Sequence, residues 1–123
     1  MMIQILRLNE RLWPLMTLLV LGTASVLSLM PPGGAVTAAS MNDKVLHCLA
    51  HAAIAAPVCL ARPRGWLWLV AGFVLWGVAI EIMQPLVGRD RSAADVVANL
   101  AGTATAVAAS GILRSLIRLS RVR

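Results

Sequence analysis

Residues 79–90 read AIEIMQPLVGRD. They close an apolar run that begins at Gly65, yet Glu81, Gln84 and Pro85 fall within one five-residue stretch of it. An ionisable side chain near the middle of a membrane span costs about 2.5 to 3.5 kcal/mol, so it is tolerated where it faces protein or water instead of acyl chains. Pro85 adds a second demand, because it has no N–H to offer the carbonyl four residues earlier, which is that of Glu81. A carboxylate, a carboxamide and a freed backbone oxygen at one depth therefore require partners from neighbouring helices or from a wet cavity.

The rest of the chain has the composition to supply such neighbours. Of its 123 residues 59% are hydrophobic and 13% charged, with a mean hydropathy of +0.82, far from the balance of a soluble domain. The charges gather at the ends of long uncharged runs, the pattern of segments that cross hydrocarbon. A net charge of +6 does not make a nucleic-acid surface here, since the basic residues are not interleaved with aromatics on one patch. Lipid headgroups are the partners that suit them. Cys48 and Cys59 share one run, and eleven helical steps separate them by about 16 Å, too far for a bridge within the chain.

Four apolar runs predict an all-α fold, a transmembrane four-helix bundle in a single domain over 1–123, with helices at about 12–30, 45–61, 65–87 and 96–113. The first run ends at "PPGG". A cleaved signal peptide is its rival reading, given Arg7 and Arg11 before it and "VTA" before Ala39, but the run is longer than a signal core. The second run contains Pro57, which predicts a kink. "RPR" at 62–64 turns it into the third, where Trp66 and Trp68 mark a headgroup end. The fourth is rich in small residues that let helices approach closely in lipid.

Basic residues orient the bundle. Arg7, Arg11, Arg62, Arg64, Arg114, Arg118, Arg121 and Arg123 share one side, against Lys44, Arg89 and Arg91 on the other, so both termini are expected in the cytoplasm. The tail "RSLIRLSRVR" reads equally as a stop signal or as a basic helix lying along the inner leaflet.

With that topology Asp43, His47, Glu81, Gln84, Asp95 and Asn99 fall in one leaflet, the outer one, although the basic-residue count that orients the chain uses none of them. Glu81 lies about 9 Å below the outer end of its helix. Gly77, Glu81, Gln84 and Gly88 recur at helical spacing, glycines admitting a neighbour and polar groups meeting it. Asp43, His47 and His51 form a stripe four residues apart, with Asp43 placed to cap. Asp95, Asn99, Gly102 and Ala106 repeat the logic on the last helix, with Asp95 as its cap. Arg89 and Arg91 stand as cations over the mouth.

The segments "DKVLH", "EIMQ", "GRDRSAAD" and "NLAG", in this order, resemble the VanZ-like family of small bacterial membrane proteins over roughly residues 41–110. The family pattern falls on Asp43, Lys44 and His47, on Glu81 and Gln84, on Gly88 and Arg89, and on Asp95, Asn99 and Gly102. His51 stands where the family usually has an aromatic, and Ala106 where a second glycine is common. The resemblance implies a multi-pass protein of the bacterial inner membrane with an envelope role, its namesake being associated with low-level teicoplanin resistance. It supplies no established reaction.

Three functions suit this residue set. The cluster of Asp43, Lys44, His47, Glu81, Gln84, Arg89, Asp95 and Asn99 would bind, or act on, an anionic or polyprenyl-linked envelope molecule, with Arg89 on its phosphate and Glu81 and His47 orienting polar groups or moving protons. A small transporter would use Glu81 in a pathway and would need a homo-oligomer, four spans being few. In a scaffold the same residues would only hold helices together. His47 and His51 at i and i+4 form a weak metal pair, with Asp43 or Glu81 to complete it, and the sequence contains no cofactor motif such as a Walker loop, a dinucleotide fingerprint or a GxSxG elbow.

Overall fold

The computed structural model describes residues 2–31 and 42–120. Among them the chain forms four α-helices: α1 (Met2–Ser28), α2 (Asp43–Ala61), α3 (Trp66–Met83) and α4 (Ala93–Ser120). All four are long and apolar enough to cross a membrane, making this a multi-pass membrane protein. The "PPGG" turn, apart from Pro31, and Arg121 and Arg123 of the basic tail lie outside the described residues.

Burial follows a lipid solvent. Trp68 and Leu86 are 83% and 84% exposed, whereas Glu81 and Gln84 are each 1% exposed. The third helix and the 3₁₀ turn that follows it thus set apolar side chains outward and polar ones inward, the inversion expected when hydrocarbon surrounds the bundle and polar groups must find protein.

At the hub stands α2, which packs on α1, α3 and, most extensively, α4. Ile54, Ala55, Val58 and Cys59 of α2 form the core with Phe73 and Ala106, and Trp13, Val20, Leu21 and Ala24 of α1 lie against it. The close α2–α4 approach depends on Gly102, where a Cβ would run into the Cys48 carbonyl and lie 3.1 Å from the Ala52 nitrogen. Backbone thus meets backbone, as small residues permit in lipid. Buried residues Asp95, Asn99, Gly102, Ala106 and Ser110 repeat at helical spacing along the α4 stripe that faces it.

Contacts at both ends establish an up-down-up-down order. At one end the Asn9 amide donates to the Pro57 carbonyl at 3.0 Å, Arg114 donates to the Leu60 carbonyl at 2.5 Å, and the Arg62 guanidinium lies 4.9 Å from the Trp66 ring centre. At the other, Trp76 donates to Ser25 at 2.9 Å and Gln84 to the Ser28 carbonyl at 3.3 Å. Arg7, Arg11, Arg62, Arg64, Arg114 and Arg118 therefore gather at the first end, and Lys44, Arg89 and Arg91 at the second.

Several local expectations are corrected. The outer helices run further than the apolar runs that predict them: α1 begins at Met2 and α4 continues to Ser120, so the tail is a helical extension through Arg114 and Arg118, good helix formers past the hydrocarbon edge. Asn42, not Asp43, caps α2, its side chain accepting from the Lys44 amide. The Ser92 carbonyl accepts the Asp95 and Val96 amides, which puts Asp95 in the first turn of α4 and frees it from capping. Gly88 is exposed; it serves the turn after the 3₁₀ segment Gln84–Val87, at φ 79°, where a Cβ is disfavoured. Both cysteines are free thiols.

The Gly102 contact sets a stability test. Gly102→Ala is expected to destabilise the detergent-solubilised protein by about 1 to 3 kcal/mol, the range for overpacking, seen as a lowered thermal midpoint. Gly72→Ala, where a Cβ meets nothing within 4 Å, is expected to leave the midpoint unchanged or raise it.

Candidate functional site

At the end of the bundle opposite the arginines, α2 and α4 begin and α3 stops. These helix ends bring the predicted polar residues together, and His47 is their centre. The residue is 7% exposed, with Nδ1 3.2 Å from the Asn99 Oδ1 and 3.8 Å from the Glu81 Oε1. On the opposite edge, Nε2 lies 3.9 Å from the Oδ2 of Asp43 and 3.9 Å from the Oδ2 of Asp95. A carboxamide oxygen only accepts, so Nδ1 carries the proton in the His47–Asn99 bond.

Cations enclose the outer part of the cluster. Arg89 donates to both oxygens of Asp43, at 3.3 and 3.4 Å, and Lys44 Nζ is 3.9 Å from the Oδ1 of Asp95. Glu81 is bound on one oxygen only, its Oε2 accepting the Ser92 amide at 3.3 Å. Its Oε1 has no hydrogen-bond donor among the described residues, and neither does the Oδ1 of Asp95. Three carboxylates, those of Asp43, Glu81 and Asp95, thus face two side-chain cations across these contacts.

Glycine makes the inner wall possible. A Cβ on Gly77 would stand 2.6 Å from the His51 ring and 3.0 Å from the Asn99 amide, so the buried His51 and Asn99 occupy space that any other residue would fill. The Nδ1 of His51 has no hydrogen-bond partner among the described residues. Among the described residues, the side chains close enough to share an ion are Asp43, His47 and Asp95, with ligand atoms within 4.8 Å of one another; His51 is not one of them. Gln84, just past α3, fastens that end of the helix to α1.

A cavity of about 390 Å³ opens beside the cluster. Apolar Leu19, Leu46, Ile54 and Ile80 line most of it, and Asp43, His47, Arg89 and Asn99 line its polar part. The wall from α1, including Ser25, was not singled out by the sequence reading. Its signal was available: Thr17, Ser25 and Ser28 share a helical stripe with Asn9 and Trp13. The Ser92 amide, a backbone group, has no side-chain signature. No family model, curated protein or solved structure matches the chain.

The Glu81–Ser92 bond ties α3 to the start of α4, and removing the acceptor leaves a half-buried amide without one. Glu81→Ala is expected to lower stability by about 1 to 3 kcal/mol, while Glu81→Gln, which keeps an acceptor oxygen, is expected to lose less than half of that. Thermal unfolding of the two variants in one detergent provides the comparison.

Proposed function

We propose that this protein is a VanZ-like membrane protein of the bacterial envelope, which holds an anionic amphiphile of the polyprenyl phosphate class in the outer leaflet. The observation that carries this reading is the division of the cavity: hydrocarbon-lined over most of its wall and bounded at one part by Arg89, His47 and Asn99. A hydrocarbon chain gains from leaving its neighbours only where the wall matches it, whereas a phosphate needs charge-assisted donors. Arg89 has donors to spare beyond its Asp43 contact, and that contact is with a half-exposed carboxylate, so exchange for a phosphate costs little.

Residues outside the cavity take a different part. Glu81 and Gln84 do not line it; they fasten α3 to the α4 entry and to α1 and so hold the wall in place. The excess of arginines at the other end supports the outer placement of the cluster, through the preference of basic residues for the cytoplasmic face.

Native mass spectrometry of the detergent-solubilised chain with a polyprenyl phosphate tests the reading. One bound lipid per chain is expected, with retention reduced about tenfold by Arg89→Ala, equivalent to about 1.4 kcal/mol, and reduced likewise when the uncharged polyprenol replaces the phosphate. Equal retention of phosphate and alcohol, or no effect of Arg89→Ala, contradicts it.

A further inference from the structure

We propose that Asp43, His47 and Asp95 form a site for a divalent first-row cation such as Zn²⁺ or Mn²⁺. Two of the ligands come from successive turns of α2 and the third from the first turn of α4. The close α2–α4 approach at Gly102 therefore builds the site from two helices held in fixed register.

The donor atoms are arranged for a cation. The Nε2 of His47 faces an Oδ2 of each aspartate at 3.9 Å, and all three atoms lie within 4.8 Å of one another. An ion centred among atoms so spaced sits roughly 2.3 to 2.5 Å from each, a few tenths longer than the about 2.0 to 2.2 Å of zinc bonds to nitrogen and oxygen, which small side-chain movements close. By distance alone Ca²⁺ would fit, but an imidazole nitrogen among the donors selects a transition cation.

Second, the histidine is set as a metal ligand. With Nδ1 bonded to the Asn99 oxygen, Nε2 is the ring atom that faces the two aspartates, of which Asp43 also accepts from Arg89. An outer partner on the far nitrogen is the usual way a protein fixes the tautomer of a metal-bound histidine.

Independent of this triangle is the state of Asp95. It is 5% exposed, its Oδ1 has no hydrogen-bond donor among the described residues, and Lys44 pairs with that oxygen only at 3.9 Å. Burial of a carboxylate so poorly served is costly unless a charge partner is supplied.

Asp43 and His47 also line the cavity, so a cation with three protein ligands keeps a position open toward it, as catalytic and ligand-binding metal sites do. Existence of the site does not rest on the polyprenyl phosphate reading, which can fail while metal binding persists.

The rival state is an imidazolium on His47 that bridges the two aspartates without metal. The full chain, purified in detergent, stripped with a chelator and desalted, separates the two when titrated with Zn²⁺ and Mn²⁺, and with Mg²⁺ and Ca²⁺ for comparison. About one Zn²⁺ or Mn²⁺ per chain is expected by elemental analysis, with the thermal midpoint raised by about 10 °C at a hundredfold excess over Kd. His47→Gln and Asp95→Asn are expected to retain less than a tenth of that metal, and His51→Gln to retain all of it. Should either buried variant not fold, Asp43→Asn at the half-exposed helix start carries the test, with an affinity at least tenfold weaker. A metal content below a tenth of an equivalent in the parent chain, or undiminished binding by the folded variants, overturns the proposal.

Discussion

The close backbone approach of α2 and α4 is the constraint on which the architecture depends. Gly102 admits the Cys48 turn of α2 to the surface of α4, and the polar residues follow from that contact. Asn99 stands one turn before Gly102 and His47 is the neighbour of Cys48, so the two side chains meet at 3.2 Å. Asp95, one turn earlier still, reaches the far edge of the same ring. Lipid offers helices no hydrophobic drive to associate, which leaves dispersion at small residues and polar contacts between helices as the cohesive terms. Both are concentrated on this pair.

Glu81 is accommodated as a consequence. Its carboxylate enters the cluster from α3, takes one hydrogen bond from the Ser92 amide and faces His47 with its other oxygen. Pro85 ends the regular helix two residues earlier, at Met83, and the chain tightens into a 3₁₀ turn that Gly88 closes. That turn carries Arg89 back over Asp43. The sequence of acid, amide, proline and glycine that looks out of place in a span is the device that ends one helix and returns the chain to the next.

Much of this was legible in the sequence because depth in a bilayer is a one-dimensional coordinate. Hydropathy places each run, and helical spacing then places His47, Glu81, Asp95 and Asn99 at one level and on inward stripes. Gly77 and Gly102 were legible as contact residues for the same reason. Pairing between helices was not: consecutive helices are not the closest pair here, and nothing in spacing says that α2 prefers α4 to α3. Caps escaped for a related reason, since Asn42 and Asp43, or Ser92 and Asp95, offer similar acceptors within a turn, and the choice depends on which side chain is drawn into the cluster. Gly88 misled because a glycine at helical spacing and a glycine in a turn look alike without φ. The apolar runs stop short of the start of α1 and the end of α4 because hydropathy reports the hydrocarbon edge, whereas a helix continues beyond it while its backbone bonds remain satisfied.

That buried polar residues from neighbouring helices support one another is the central claim, and a double-mutant cycle between His47 and Asn99 measures it most directly. Stability of the parent, His47→Ala, Asn99→Ala and the double variant would be determined in one membrane mimetic. A coupling of about 0.5 kcal/mol or more is predicted, the scale of interhelical hydrogen bonds and of residues in direct contact, against none for His47 with the exposed Trp68. Additive losses for His47 and Asn99 would contradict the account.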